Sequence, residues 1–233
     1  MQHDIVVHVW SDIACPWCYI GKHRLEKGIE LSGQKVAVEY HAYQLEPNAP
    51  TSPTSTSAER LAKIKKLDLT TTNYMLEHIT KVAADEGLTM NWDQVQPVNS
   101  FLALQLVYAA KASGNTPEEA ALAGGRMVER LYQAYFTEGR NLSDTDTLVD
   151  IAEEMGLIAD DVHDQIESGE YADDVRNDVR DAESLGIKGV PFYIVAGRLG
   201  LSGAQEPQVF ADAINRAIAE MQAEPEGWRE NLS

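Results

Sequence analysis

A chain of 233 residues with 44% hydrophobic and 24% charged side chains can bury a core of its own, which excludes a disordered segment or a disulfide-stapled miniprotein. Its formal charge of −18, from 19 Lys and Arg against 37 Asp and Glu, repels phosphate backbones and anionic lipid, so neither nucleic acid nor a membrane surface is an expected partner. No stretch approaches the ~18 apolar residues of a membrane span, and MQHDIVVHVW at the start has no basic signal-peptide region, so a cytoplasmic location is expected.

In chain order, Asp4 to Trp10 is β-branched and apolar and predicts a buried first strand. A helix follows from about Pro16 to Leu31, with Pro16 near its first position, an apolar face of Ile20, Leu25 and Ile29, and Gly33 as its stop. Residues 36 to 45, VAVEYHAYQL, alternate as a second strand, and EPNAPTSPTSTS reads as a loop leaving the sheet. From Ala58 to Leu185 the period is helical: AERLAKIKKL, then NYMLEHITKVAADEG. After an interruption at Met90 to Pro97 come SFLALQLVYAAKASG and PEEAALAGGRMVERLYQAYFTEG, then three acidic helices beginning near Asp144, Asp160 and Ala172.

Thr116 before Pro117 and Glu119, and Ser143 with Asp146, predict capped helix starts. Gly124–Gly125 predicts a break serving close packing or a kink. Near the end, Phe192 to Ala196, a turn at Gly197 and Arg198 to Ser202 predict an antiparallel hairpin, and Pro207 to Gln222 a final amphipathic helix. The tail 223–233 is expected to fray, with Trp228 a candidate anchor. The expected architecture is α/β: a βαβ unit (1–46) and a ββα unit (186–222) forming one discontinuous sheet domain, with residues 58–185 as an all-helical insertion over it.

Both cysteines fall in SDIACPWCYIGK. The Cys15-Pro16-Trp17-Cys18 spacing puts two sulfurs on one helical turn after a strand. Cys15 at the helix N-terminus meets unpaired N–H groups and the positive dipole end, which favour a thiolate. It is expected to be an exposed nucleophile, with Cys18 a turn deeper as the resolving thiol, the asymmetry that dithiol exchange requires. Trp17 carries no charge, so the couple should be less oxidising than the ~−120 mV extreme. Lys22 and Arg24 add cations to the helix surface, where charges usually do little. A structural disulfide would constrain little chain at this spacing, and a zinc site would have at best Cys15, Cys18 and His23, so no metal is expected. His8 and His41 on strands read as satisfied side chains rather than ligands, His78 and His163 as ordinary helix positions, and no nucleotide motif is present.

SDIACPWCYIGK, GIKGVPFYIV and GLSGAQEPQVFADAI together resemble the FrnE-like branch of the DsbA family of thioredoxin-fold oxidoreductases, and the order βαβ, helical insertion, ββα covers most of the chain. The resemblance implies a thioredoxin-like fold, Cys15 as nucleophile and Cys18 as resolving thiol. It also implies that Val190–Pro191 is cis, faces the dithiol and lets the Val190 backbone pair with an extended substrate; from the residues alone, trans is the commoner state. Pro16 and Trp17 would border that substrate, with Trp17 either simply packed or part of an apolar surface beside Cys15.

This chain lacks the second cysteine pair of some FrnE-type members, so an external thiol reductant or oxidant is expected as partner, with disulfide-bearing proteins or small thiols as substrates and no cofactor beyond glutathione as a possible co-substrate. Leu104–Gln105 stands where the family often has His-Arg. The broader family includes kappa-class glutathione transferases and 2-hydroxychromene-2-carboxylate isomerases, which carry serine at the Cys15 position. A glutathione-dependent transferase or isomerase, and a redox-linked chaperone or sensor, are the alternatives.

Overall fold

The computed structural model describes residues 5–223; Asp4, residues 224–233 and, among them, Trp228 lie outside the described residues. Strand β1 (Ile5–Ser11) runs into helix α1 (Pro16–Ser32), which crosses over to strand β2 (Val36–Ala42), parallel to β1. Parallel neighbours need such a crossover, because no short turn can reverse the chain twice. Gly33 closes α1 in the left-handed conformation (φ 67°), its N–H bonding Glu30 O. Strands β3 (Phe192–Val195) and β4 (Leu199–Ser202) complete a four-stranded sheet of order β2-β1-β3-β4, with β3 antiparallel to β1. Helix α9 (Pro207–Ala223) then lies against α1, close enough that a Cβ on Gly28 would fall 2.5 Å from Phe210 Cβ.

Val7, Val9, Tyr193 and Val195 are fully buried or nearly so, with Tyr193 meeting both α1 and α9. On the opposite face Trp10 and Phe192 pack with Ala182 and Ile187. One continuous core then extends from these strands into the helices, through Leu104, Leu106, Leu131, Leu148 and Ile151. This is a mixed sheet in a mostly helical chain, the thioredoxin-like arrangement that the family resemblance implies.

Several boundaries differ from expectation for local reasons. β2 stops at Ala42, short of Leu45: after Tyr43 N bonds Ser11 O at 2.9 Å, the Leu45 N–H goes to the Asp12 carboxylate (2.7 Å), as that of Ala42 goes to Asp178 (2.6 Å). Arg198 belongs to the hairpin turn rather than β4, since Ala196 and Gly197 both adopt positive φ (52° and 66°). In the helical segment, α2 (Ser57–Lys65) begins with a reciprocal Thr56–Glu59 capping box. Helix α3 (Leu69–Asp85) starts before Asn73 because Asp68 caps it, accepting from Thr71 N at 2.8 Å.

Helices α4 (Phe101–Ala112) and α5 (Pro117–Tyr132) follow, and the expected Thr116 cap is present. No break occurs at Gly124–Gly125. These glycines instead admit Lys111 and Tyr40, whose side chains would lie 2.8 and 3.4 Å from added Cβ atoms. A π-helical turn (Gln133–Thr137) ends α5. Asp144, not Ser143, caps α6 (Thr145–Glu154); the Ser143 hydroxyl donates to Asn99 O at 2.6 Å. Helices α7 (Ala159–Ser168) and α8 (Ala172–Ser184) lead back to the sheet.

Asp178 of α8 holds that return. Its carboxylate accepts from His41 Nδ1 (2.8 Å), Ala42 N and the Tyr108 hydroxyl, while its carbonyl accepts from Trp10 Nε1 at 3.2 Å. With His41 Nδ1–H donating to the carboxylate, its Nε2 is left to accept from His8 Nδ1 at 2.9 Å. Both histidines are thus satisfied by protein partners. Asp178→Ala should cost roughly 2–4 kcal/mol, since it leaves three donors at a buried junction without their acceptor. A urea midpoint unchanged from wild type would show that the junction carries no such stability.

Candidate active site

Helix α1 starts where β1 ends, and the turn between them is fixed by one buried carboxylate. Asp12 accepts from Ala14 N (3.0 Å) and from Leu45 N, so it ties the turn before Cys15 to the segment after β2. Burial raises the Asp12 pKa, against hydrogen bonds from Leu45, Ser100 and Ala14. Cys15 is the N-cap, extended at φ −98° and ψ 112°, with Pro16 in the first turn, where a missing N–H costs no helical hydrogen bond. The Cys15 carbonyl accepts from Cys18 N at 3.0 Å, and both cysteines are free thiols.

The 175-residue gap to Val190 closes here. Cys15 Sγ lies 3.8 Å from the Val190 carbonyl oxygen, and Val190–Pro191 is cis. Pro191 is buried, whereas Val190, Pro16 and Trp17 are half-buried around the sulfur. Contrary to expectation, Cys15 is not exposed: 4% of its surface is accessible, against 2% for Cys18. The segment returning into β3 puts Val190 over it, a contact no local pattern contains. Burial pushes the Cys18 thiol well up, and the hydrogen bond and charge of Cys15 push it the same way.

Around Cys18 the core is aromatic. Tyr19 stacks on Tyr132 with ring centres 4.9 Å apart, and burial raises the phenols of Tyr40, Tyr132 and Tyr193 well above their ordinary value, keeping them neutral. The Tyr193 hydroxyl, on the same register as Val9, has no hydrogen-bond partner among the described residues and lies close over Gly21, one turn beyond Cys18. Leu104 and Gln105 are both buried in α4.

The nearby cations are already engaged. Lys22 is buried and pairs with Glu26 (2.6 Å) and Glu129 (2.9 Å), while Arg24 pairs with Glu86 and Glu206, both at 2.7 Å. His23 bonds Glu129 at 3.2 Å. Among the described residues no group of three or more His, Cys, Asp or Glu is placed to hold a metal ion. Two neighbours of the motif had no signal in the sequence. His78 of α3 brings its ring to 6.2 Å from that of Trp17, across 61 positions of chain, and Glu129 of α5 collects Tyr19, Lys22, His23 and Gln133 on one carboxylate. Only Asp12 could have been suspected, as an acid between an apolar strand and the cysteines.

Two outcomes follow from these contacts. A Cβ on Gly21 would stand 2.3 Å from the Tyr193 hydroxyl oxygen and 3.1 Å from Pro191 Cγ, so Gly21→Ala should destabilise by roughly 1–3 kcal/mol. Adding Tyr193→Phe removes the clashing atom and should restore most of the loss in a denaturant titration; no recovery would locate the strain elsewhere. For Glu129, burial opposes ionisation, but the His23 hydrogen bond and the Lys22 charge outweigh it and hold the carboxyl at about 2, below its ordinary 4.5. A depressed carboxyl stabilises the fold above its unfolded value and loses that contribution as pH falls toward the folded one. The stability difference between wild type and Glu129→Gln should therefore shrink from about pH 4.5 to 2, and a constant difference across that window would refute the assignment.

Residues 6–215 match the DSBA-like thioredoxin domain family. The uncharacterized protein YwbO of Bacillus subtilis (strain 168) is 29% identical over 212 residues, covering 90% of this chain and 95% of its own. Among solved structures, a probable DsbA oxidoreductase from Streptomyces coelicolor superposes with a TM-score of 0.82 at 31% identity, covering 95% of this chain and 92% of the other. The cytosolic disulfide reductase DsbM of Pseudomonas aeruginosa, solved with GSH, shares the fold at a TM-score of 0.65 and 18% identity, covering 92% of this chain and 99% of its own. With a family match across most of its length and a paired thiol beside a cis-proline, this chain belongs to the DsbA-like thioredoxin-domain proteins.

Proposed function

We propose that the chain is a thiol–disulfide oxidoreductase of the FrnE-like branch, working through the Cys15–Cys18 dithiol. The observation that carries this reading is the meeting of the α1 N-terminus with Val190–Pro191: a sulfur at a helix start, a second one turn deeper, and a main-chain carbonyl 3.8 Å from the first. The Cys15 thiolate attacks one sulfur of a substrate disulfide. That S–S bond breaks, its electron pair leaves on the other substrate sulfur, and a mixed disulfide forms at Cys15.

The raised Cys18 thiol is suited to wait. Burial, the largest cause of its rise, together with the hydrogen bond and charge of Cys15, keeps it protonated while Cys15 is free. Its thiolate then attacks Cys15 Sγ and releases the remaining substrate sulfur as a thiol. The substrate gains two electrons, and Cys15 and Cys18 are left as a disulfide. Two equivalents of an external thiol return the dithiol, and glutathione is the co-substrate proposed; run in reverse, the same steps oxidise a substrate. Val190 would pair with an extended substrate backbone, while Pro16 and Trp17 border it. The absence of a helix long and apolar enough to cross a membrane among the described residues suits the proposed cytoplasmic site of action.

Single substitutions test the roles. Incubated with a disulfide-bearing peptide, Cys18→Ser should accumulate a mixed disulfide at Cys15, visible by intact mass, and Cys15→Ser should accumulate none. Equal trapping by the two variants would overturn the order of attack.

A further inference from the structure

The corner between α2 and α3 stands apart from the rest of this acidic surface. Every residue from Lys63 to Thr71 is exposed. Within that run three lysines, Lys63, Lys65 and Lys66, face a single acid, Asp68, in a chain whose formal charge is −18. None of the three lysine side chains has an ion pair or hydrogen bond among the described residues. The Asp68 carboxylate is occupied by Thr71, accepting from its N–H at 2.8 Å and its hydroxyl at 2.7 Å.

The same corner exposes large apolar side chains: Ile64 at 43%, Leu67 at 38%, Leu69 at 50% and, on the next turn of α3, Tyr74 at 67%. Exposed lysines alone describe an ordinary solvated turn. Unpaired lysines interleaved with open apolar side chains describe a surface that gains by being covered.

Its position gives it a use. Helix α3 leads from Leu69 past Tyr74 to His78, whose ring lies 6.2 Å from that of Trp17, between the two cysteines. At 1.5 Å per residue, Leu69 and His78 are ~14 Å apart along the helix. With the further 6.2 Å to the Trp17 ring the path is about 20 Å, which an extended peptide covers in ~6 residues.

We infer that the α2–α3 corner is a docking surface for a cysteine-bearing polypeptide with acidic and apolar residues six or more positions from its reactive sulfur. This rests on the thiol–disulfide reading of Cys15 and Cys18. The surrounding charge selects a narrow partner: a short acidic segment can meet the lysines within a Debye length of ~8–10 Å, whereas an anionic bilayer or duplex also meets the acidic remainder of the surface. The lysines steer the acidic segment, and the apolar side chains retain it.

Docking can be measured without chemistry. In the full chain carrying Cys15→Ser and Cys18→Ser, fluorescence anisotropy is read with a labelled peptide in which Asp and Glu flank Leu and Trp, and with its counterpart bearing Lys at the acidic positions. The acidic peptide should bind more tightly, and its affinity should fall as salt rises. Adding Lys63→Glu and Lys65→Glu should weaken it roughly tenfold at low salt; Lys66 is left in place because its left-handed backbone (φ 56°) closes α2. Leu67→Ser with Tyr74→Ala should weaken it with the charges intact. Equal affinity for the two peptides, indifference to the lysine reversals, or preferential binding of phosphatidylserine vesicles would overturn the inference. Exchange of the wild-type chain with oxidised glutathione is followed in parallel: its failure would sink the redox reading and leave the peptide affinities to report on the surface.

Discussion

The site depends on one constraint of sheet topology: β1 is central, and its C-terminal end is also where β3 begins. A parallel β1–β2 pair demands a crossover, so α1 must start at that end. An antiparallel β3 must enter the sheet there as well, which brings Pro191 to the cysteine that caps α1. The register Trp10↔Phe192 fixes the approach to within one residue, since a slip by one would turn Tyr193 and Val195 out of the core. The long helical segment between them does not create this meeting. It returns the chain to it, through Asp178 on the face of the sheet that carries Trp10 and His41.

Charge around the dithiol is balanced more closely than a formal −18 suggests. Lys22 and Arg24 are held by four carboxylates, those of Glu26, Glu129, Glu86 and Glu206, so neither offers a free cation to the sulfurs. What remains is the start of α1, whose dipole and unpaired N–H groups act over about one turn. Behind it lie neutral phenols and a buried Cys18. Cys15 sits at the helix end and Cys18 one turn deeper, where desolvation raises its thiol.

What the sequence discloses here is what is local. The CPWC spacing, Pro16 in the first turn, the Gly33 stop, the Thr116 cap and the hairpin around Gly197 each depend on a few neighbouring residues, and each is found. The Asp68 cap is equally local but lies before a run of threonines without helical period, so the pattern puts the start of α3 too late. The Gly124–Gly125 pair misleads for a different reason. Intrinsic propensity disfavours glycine in a helix, but two side chains from other elements need the space, and packing outweighs propensity. The burial of Cys15, the His78–Trp17 neighbourhood and the Glu129 cluster depend on residues 61 to 175 positions apart, a separation at which periodicity carries no information.

That burial bears on how the proposed reaction would begin. The Val190 main chain, proposed to pair with a substrate strand, presents its carbonyl oxygen to Cys15. A substrate backbone drawing hydrogen bonds from this segment would compete with the contact that covers the sulfur. Recognition and uncovering are then one event, and a disulfide without an extended segment around it has less means to open the site. On the proposed reading, a small disulfide would meet Cys15 beside the half-buried Pro16, Trp17 and Val190. A polypeptide can place its backbone against Val190 first, and in that order of steps the chain flanking the sulfur, rather than the sulfur itself, determines access to the dithiol.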